Sequence, residues 1–172
     1  MAVDTSKVLI SKAQIEEMLD RVASRINKDY ADKDLVVVGI LTGAYIFTAD
    51  LTRRLNISMD VDFMQVSSYV GTESTGDLKI KKDLSVDVKG RDVLIVEDIV
   101  DTGRTMALLM DVISKRGAKS VKLCSAFGKP DRRVNDLVPD YTGIVIPDEF
   151  VVGYGLDLDG QYRNFEDVRI VR

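Results

Sequence analysis

The run Leu35-Val36-Val37-Val38-Gly39-Ile40-Leu41 leaves the chain few ways to fold. Seven residues without a polar side chain, mostly β-branched, make a strand that needs cover on both faces, since a strand with one wet face alternates. Val93-Leu94-Ile95-Val96 repeats the signal, and residues 121–127 read as another strand. Helical patterns stand between these runs. Ser11 lies three residues before Gln14, the spacing of a capping box, and Ile15, Leu19, Val22 and Ile26 follow at intervals of three and four. That spacing predicts an amphipathic helix over about 12–29. Residues 45–55 and 105–116 give two more helices, the last stopped by Gly117 at the C′ position. Buried strands alternating with helices imply an α/β fold, a mostly parallel sheet flanked by helices.

The other segments are less regular. Residues 59–67 alternate apolar and polar side chains, as a half-covered strand would. SSYVGTESTGDLKIKK, residues 67–82, is rich in Gly, Ser and Thr and too polar for a core, so a long hairpin excursion is expected there, ending in a strand over 78–82. Beyond Pro130, short apolar segments (Ile144-Val145-Ile146 and Phe150-Val151-Val152) alternate with Pro, Gly and Asp, and the chain ends in an exposed-looking tail. Residues 1–172 are read as one domain.

Composition removes whole classes of chemistry. With no histidine and a single cysteine, Cys124, the chain cannot build a Ser-His-Asp triad, a Cys-His dyad or a His-ligated metal site. No disulfide can form within it, and the lone thiol fits a reducing cytoplasm and a packing role. A net charge of −4, from 24 basic and 28 acidic residues, argues against a nucleic-acid-coating protein, and only Lys79, Lys81 and Lys82 cluster as a basic group. The first residues carry acidic and polar side chains where a signal peptide needs a basic and then an apolar stretch. No apolar run approaches the ~18 residues of a membrane span. The expectation is a soluble, cytoplasmic protein with neither membrane nor nucleic acid as partner.

In sheets of this kind ligands bind beyond the C-terminal ends of the strands. There the chain places Glu97 and Asp98, then Asp101-Thr102-Gly103-Arg104-Thr105 opening a helix. Backbone N–H groups at a helix start, joined by the Thr102 and Thr105 hydroxyls, make an anion cradle, and Gly103 lets the backbone approach closely. Glu97 and Asp98 cannot hold phosphate, since like charges repel. They suit sugar hydroxyls, met directly or through Mg²⁺. Read one by one, these acids could equally cap the next helix and favour its dipole.

Taken together, the segment from Val93 to Thr105 closely resembles the signature of the type I phosphoribosyltransferases, which bind 5-phosphoribosyl-1-pyrophosphate (PRPP). The rest of the chain resembles the 6-oxopurine branch of that family. The resemblance implies the type I fold with a core over about 35–128, a mobile loop over about 67–82, and a hood built from the N-terminal segment and about 129–172. It implies transfer of the 5-phosphoribosyl group from PRPP to N9 of hypoxanthine or guanine, giving IMP or GMP and pyrophosphate. Thr42-Gly43-Ala44 matches the pyrophosphate loop, whose peptide before the glycine is often cis in relatives, here Thr42-Gly43. A basic residue and a second glycine common in relatives are replaced by Thr42 and Ala44.

Ser68 and Tyr69 match the loop that closes over the site, and Asp101 the general base at N7 of the purine. Lys129 matches the donor to the 6-oxo group. Phe150 matches the ring that stacks on the base, and Val151 the residue whose carbonyl meets the base edge. Asp157 matches a Mg²⁺ ligand beside the pyrophosphate, with Glu97 and Asp98 the other carboxylates near metal, and Arg163 an arginine on the pyrophosphate. Relatives are commonly dimers or tetramers, which makes a homo-oligomer the expectation. Two rival readings remain: an enzyme preferring xanthine or a pyrimidine, and a nucleotide-sensing, RNA-binding regulator on the same fold.

Overall fold

The computed structural model describes residues 3–68 and 77–172. In chain order the elements are β1 (Lys7–Ile10), α1 (Lys12–Asp29), β2 (Leu35–Leu41), α2 (Tyr45–Thr52), β3 (Met59–Ser68) and β4 (Leu78–Lys82). They continue with β5 (Asp92–Val100), α3 (Arg104–Lys115), β6 (Ser120–Gly128), β7 (Tyr141–Val145), β8 (Val151–Val152) and β9 (Val168–Ile170). Six strands form one sheet in the order β4-β3-β2-β5-β6-β7. All neighbours in it run parallel except β3 and β4, which are antiparallel.

The unbroken apolar runs are explained by two cores, one on each face. Leu35, Val37, Leu94 and Val96 point into a cluster with Ile15, Leu19, Val22 and Ile26 of α1 and Phe47 and Leu51 of α2. Val36, Val38, Val93 and Ile95 point the other way, onto Met106, Leu109 and Ile113 of α3. Each such side chain contributes roughly 1.5–3 kcal/mol of burial, so a polar residue anywhere in β2 would be costly. The predicted capping box is present: Ser11 Oγ accepts from Gln14 N and Gln14 Oε1 accepts from Ser11 N. Gly117 stops α3 with a φ of +89°.

Four expectations change. The strand expected over 93–96 extends to Val100, so Glu97 and Asp98 lie within β5 and not after it. The second helix ends at Thr52, short of Leu55. The exposed-looking tail is instead strand β9, with Val168 and Ile170 buried, and it pairs antiparallel with β1 and β8 in a second, three-stranded sheet. The cis peptide joins Leu41 to Thr42, one bond before the expected Thr42-Gly43. The arms of the polar hairpin, 67–68 and 78–82, belong to the sheet, while Tyr69 and residues 70–76 lie outside the described residues. No helix among the described residues is long and apolar enough to cross a membrane.

Candidate active site

The C-terminal ends of β2 and β5 lie side by side because the two strands are paired in register. Thr42, Gly43 and Ala44 lead from β2 into α2. Gly43 is where the space is tightest: a β-carbon there would sit 1.7 Å from Asp98 Oδ2. A β-carbon on Gly155 would in turn fall 2.0 Å from the Gly43 carbonyl oxygen. The loop is thus held between the acidic end of β5 and the turn after β8. Ala44 N–H donates to the Ile40 carbonyl at 3.1 Å. In this arrangement that N–H closes the first turn into α2, and the Thr42 and Gly43 N–H groups precede it.

The two carboxylates of β5 are folded back on their own backbone. Asp98 N donates to Glu97 Oε1 at 2.9 Å, and Ile99 N to Asp98 Oδ1 at 2.5 Å. Burial holds Glu97 well above the usual carboxylate range, and the neighbouring Asp98 adds to the effect. Asp98 is raised as well, by burial, against the opposing pull of the Arg163 guanidinium. Two desolvated acids side by side form a site short of positive charge. Among the described residues no three acidic or thiol side chains gather into a cage for a metal, and Asp157 does not join Glu97 and Asp98 in one. Such a donor set suits a hard cation that brings its own waters and phosphate oxygens, which is how Mg²⁺ is held.

From Asp101 to Met106 the chain wraps a cleft of about 180 Å³, lined by Glu97, Asp101, Thr102, Gly103 and Thr105. Gly103 caps α3 with a φ of +84°, and a β-carbon there would lie 2.7 Å from Arg133 Cδ and 2.7 Å from Asn135 Oδ1. The Thr102 hydroxyl oxygen accepts from Arg104 N at 3.4 Å, so it shapes the turn as well as facing it. Asp101 is gripped by a residue that sequence reasoning passed over. Arg132 Nε donates to Asp101 Oδ1 at 2.6 Å, and its Nη1 to Asp148 Oδ2 at 3.3 Å. Arg133 donates to the Asp101 carbonyl at 3.1 Å. No motif announces either arginine, since each works through a contact about 30 positions back in the chain.

Lys129 follows β6 directly. Its Nζ donates to the Glu149 carbonyl at 2.8 Å and lies 3.6 Å from Asp148 Oδ1, with only 11% of the side chain exposed. Next to Glu149, Phe150 is a large apolar ring left 54% exposed, which suits a stacking face, while Val151 is buried at the start of β8. Asp157 and Arg163 face each other at 3.2 Å, and Arg163 Nη1 also donates to the Gly155 carbonyl at 2.6 Å. Ser68 ends β3, away from this cluster in the chain but opposite Leu78 in the hairpin. Cys124 is fully buried in β6, and burial pushes its thiol up, which removes it as a nucleophile.

Residues 9–159 match the model of the phosphoribosyl transferase domain. The chain is 45% identical over 170 residues to a hypoxanthine-guanine phosphoribosyltransferase of Streptococcus pneumoniae, covering 98% of this chain and 94% of that one. It is 46% identical to the bifunctional protein TilS/HprT of Listeria monocytogenes, of which it spans only 26% of the length. A crystal structure of a hypoxanthine phosphoribosyltransferase from Staphylococcus aureus superposes with a TM-score of 0.94 at 41% identity, covering 98% of this chain and 92% of that one.

Proposed function

The chain belongs to the phosphoribosyl transferase domain family, and from that premise we propose that it transfers the 5-phosphoribosyl group of PRPP to N9 of hypoxanthine or guanine, releasing pyrophosphate. The observation that carries the reading is the meeting, at the ends of neighbouring strands, of an anion cleft below Thr102–Thr105, a pair of desolvated carboxylates, and a buried lysine beside an exposed phenylalanine ring.

Each group has a job in a reaction where the N9–C1′ bond forms as the bond from C1′ to the pyrophosphate oxygen breaks. The α3 start takes the 5′-phosphate. Glu97 and Asp98 lie where positive charge grows at the ribose, and they stabilise it while binding the hydroxyls. Thr42 and Gly43 N–H groups and Arg163 receive the departing pyrophosphate, the guanidinium with two parallel hydrogen bonds. Glu97 and Asp98, and separately Asp157, offer carboxylate oxygens that would hold Mg²⁺, which when bound would supply charge to offset that of the pyrophosphate. Asp101 takes the purine proton at N7, oriented by Arg132. Lys129 donates to the 6-oxo group and faces an amino donor in adenine, which leaves two donors unpaired and excludes that base. Phe150 stacks on the ring.

The proposal includes a cytoplasmic setting, in keeping with one unpaired thiol, and a dimeric or tetrameric assembly, which light scattering measures directly. The activity is tested spectrophotometrically with PRPP, Mg²⁺ and hypoxanthine, guanine, xanthine, adenine or uracil in turn. IMP and GMP formation supports it, and turnover confined to xanthine, adenine or uracil overturns it.

A further inference from the structure

We propose that Asp50, acting through the Tyr154 hydroxyl, is a positioning residue that sets the spacing between the pyrophosphate loop and Arg163. The inference rests on the phosphoribosyl-transfer reading. Asp50 lies on α2, the helix that opens immediately after Thr42-Gly43-Ala44, so moving α2 moves that loop. Its Oδ2 accepts from Tyr154 OH at 2.7 Å. Burial pushes the Tyr154 phenol up, which keeps it a donor throughout the working pH range.

Tyr154 occupies an uncommon place. Its φ is +51°, between Gly153 at +97° and Gly155 at +98°, three left-handed residues in a row. Glycine enters that region freely, whereas an L-residue with a side chain rarely does and persists there only when its surroundings hold it. Backbone bonds tie this turn to Arg163: Tyr154 N donates to the Phe165 carbonyl and Gly155 N to the Arg163 carbonyl, both at 2.9 Å. Arg163 then returns a bond to the Gly155 carbonyl. The hydroxyl of Tyr154 therefore joins two bodies that both meet pyrophosphate, the start of α2 and the Arg163 hairpin. Gly155 comes so close to the Gly43 carbonyl that no β-carbon would fit between them, an approach that resists compression without resisting separation. A hydrogen bond is what opposes separation.

The Tyr154 ring is held independently, edge-on to Phe127 of β6 with centroids 6.3 Å apart. Tyr154→Phe thus removes the strut and keeps the packing. Asp50→Asn keeps an acceptor oxygen, and Asp50→Ala does not. The experiment measures kcat and KM for PRPP and for hypoxanthine in these three variants and in the double variant Tyr154→Phe/Asp50→Ala, beside melting temperatures. Tyr154→Phe and Asp50→Ala should each lower kcat/KM for PRPP roughly tenfold or more, while the hypoxanthine KM at saturating PRPP stays within about twofold. Asp50→Asn should remain within about threefold of wild type, and the double variant should be no worse than either single one. A Tyr154→Phe enzyme with unchanged kcat/KM for PRPP overturns the inference, as does an equal loss toward both substrates that tracks a lowered melting temperature. Wild-type protein that forms neither IMP nor GMP overturns the functional reading, and this inference with it.

Discussion

Replacing Gly43 by alanine isolates the closest approach in the site. The new methyl carbon would stand 1.7 Å from Asp98 Oδ2, where contacts below 3.0 Å essentially do not occur, so 3.0 − 1.7 leaves at least 1.3 Å to be found. Asp98 has little room to give, since its other oxygen accepts from Ile99 N at 2.5 Å. Gly155 also crowds the loop, with 2.0 Å between its would-be β-carbon and the Gly43 carbonyl, so the loop has little freedom to shift. Overpacking of this kind costs about 1–3 kcal/mol, which for a chain of this size lowers the melting temperature by roughly 2–12 °C. Catalysis should suffer more than stability. A displacement of about 1 Å at a reacting centre costs on the order of a hundredfold, so kcat/KM for PRPP should fall by about that factor. Gly90→Ala is the control: Gly90 has a φ of +74° and nothing within 4 Å of a built β-carbon. It should cost stability and leave turnover alone. Initial rates of IMP formation and thermal melts on both variants decide the matter, and a Gly43→Ala enzyme within about threefold of wild type would refute the steric argument.

Asp101→Asn should lower kcat by about 10²–10⁴ with a much smaller change in the PRPP KM; unchanged turnover in steady-state assays removes Asp101 as the base. Lys129→Ala should weaken hypoxanthine binding and let adenine compete, and retained 6-oxopurine selectivity in a mixed-substrate assay counts against the lysine. Glu97 gives a pH prediction with a definite sign. Its folded-state pKa lies above the ordinary 4.5, so as pH rises past that value the folded protein keeps a proton the unfolded chain has released, and stability falls. Glu97→Gln should flatten this decline and raise the melting temperature at neutral pH while impairing catalysis. Parallel melting curves for the two proteins across pH would refute it.

The large sheet could be read from the sequence because its signals are local. β2 is apolar at every position since its neighbours put one core on each face, and that requirement is visible within seven residues. The capping box of α1 and the glycine after α3 are likewise contacts within a turn. β1 and β9 escaped notice because they are only four and three residues long, too short to show a period, and they pair across about 160 positions, with Lys7 opposite Ile170. In the site, Glu97 and Asp98 were legible from residue type beside a strand end, and Asp101 and Lys129 were legible through the family resemblance. Arg132, Tyr154 and Gly155 were not, because what gives them meaning is an oxygen atom supplied by another element: Asp101 Oδ1, Asp50 Oδ2 and the Gly43 carbonyl.

The three-stranded sheet gives the molecule an order in which it comes apart. β8 is two residues long and is paired in this sheet only with β9, which in turn rests on β1. Asp4 and Arg172 exchange backbone bonds at 2.9 and 3.0 Å, and Val171 N donates to the carbonyl of Phe150. Peeling back the first ten residues therefore unclasps β9, and through it the strand that presents Phe150, while β2 and β5 with their phosphate-facing loops keep their own partners. Fraying at the chain ends is thus wired to the grip on the base rather than to the grip on the sugar phosphate. In amide exchange it should register as a separate, less protected unit of the fold.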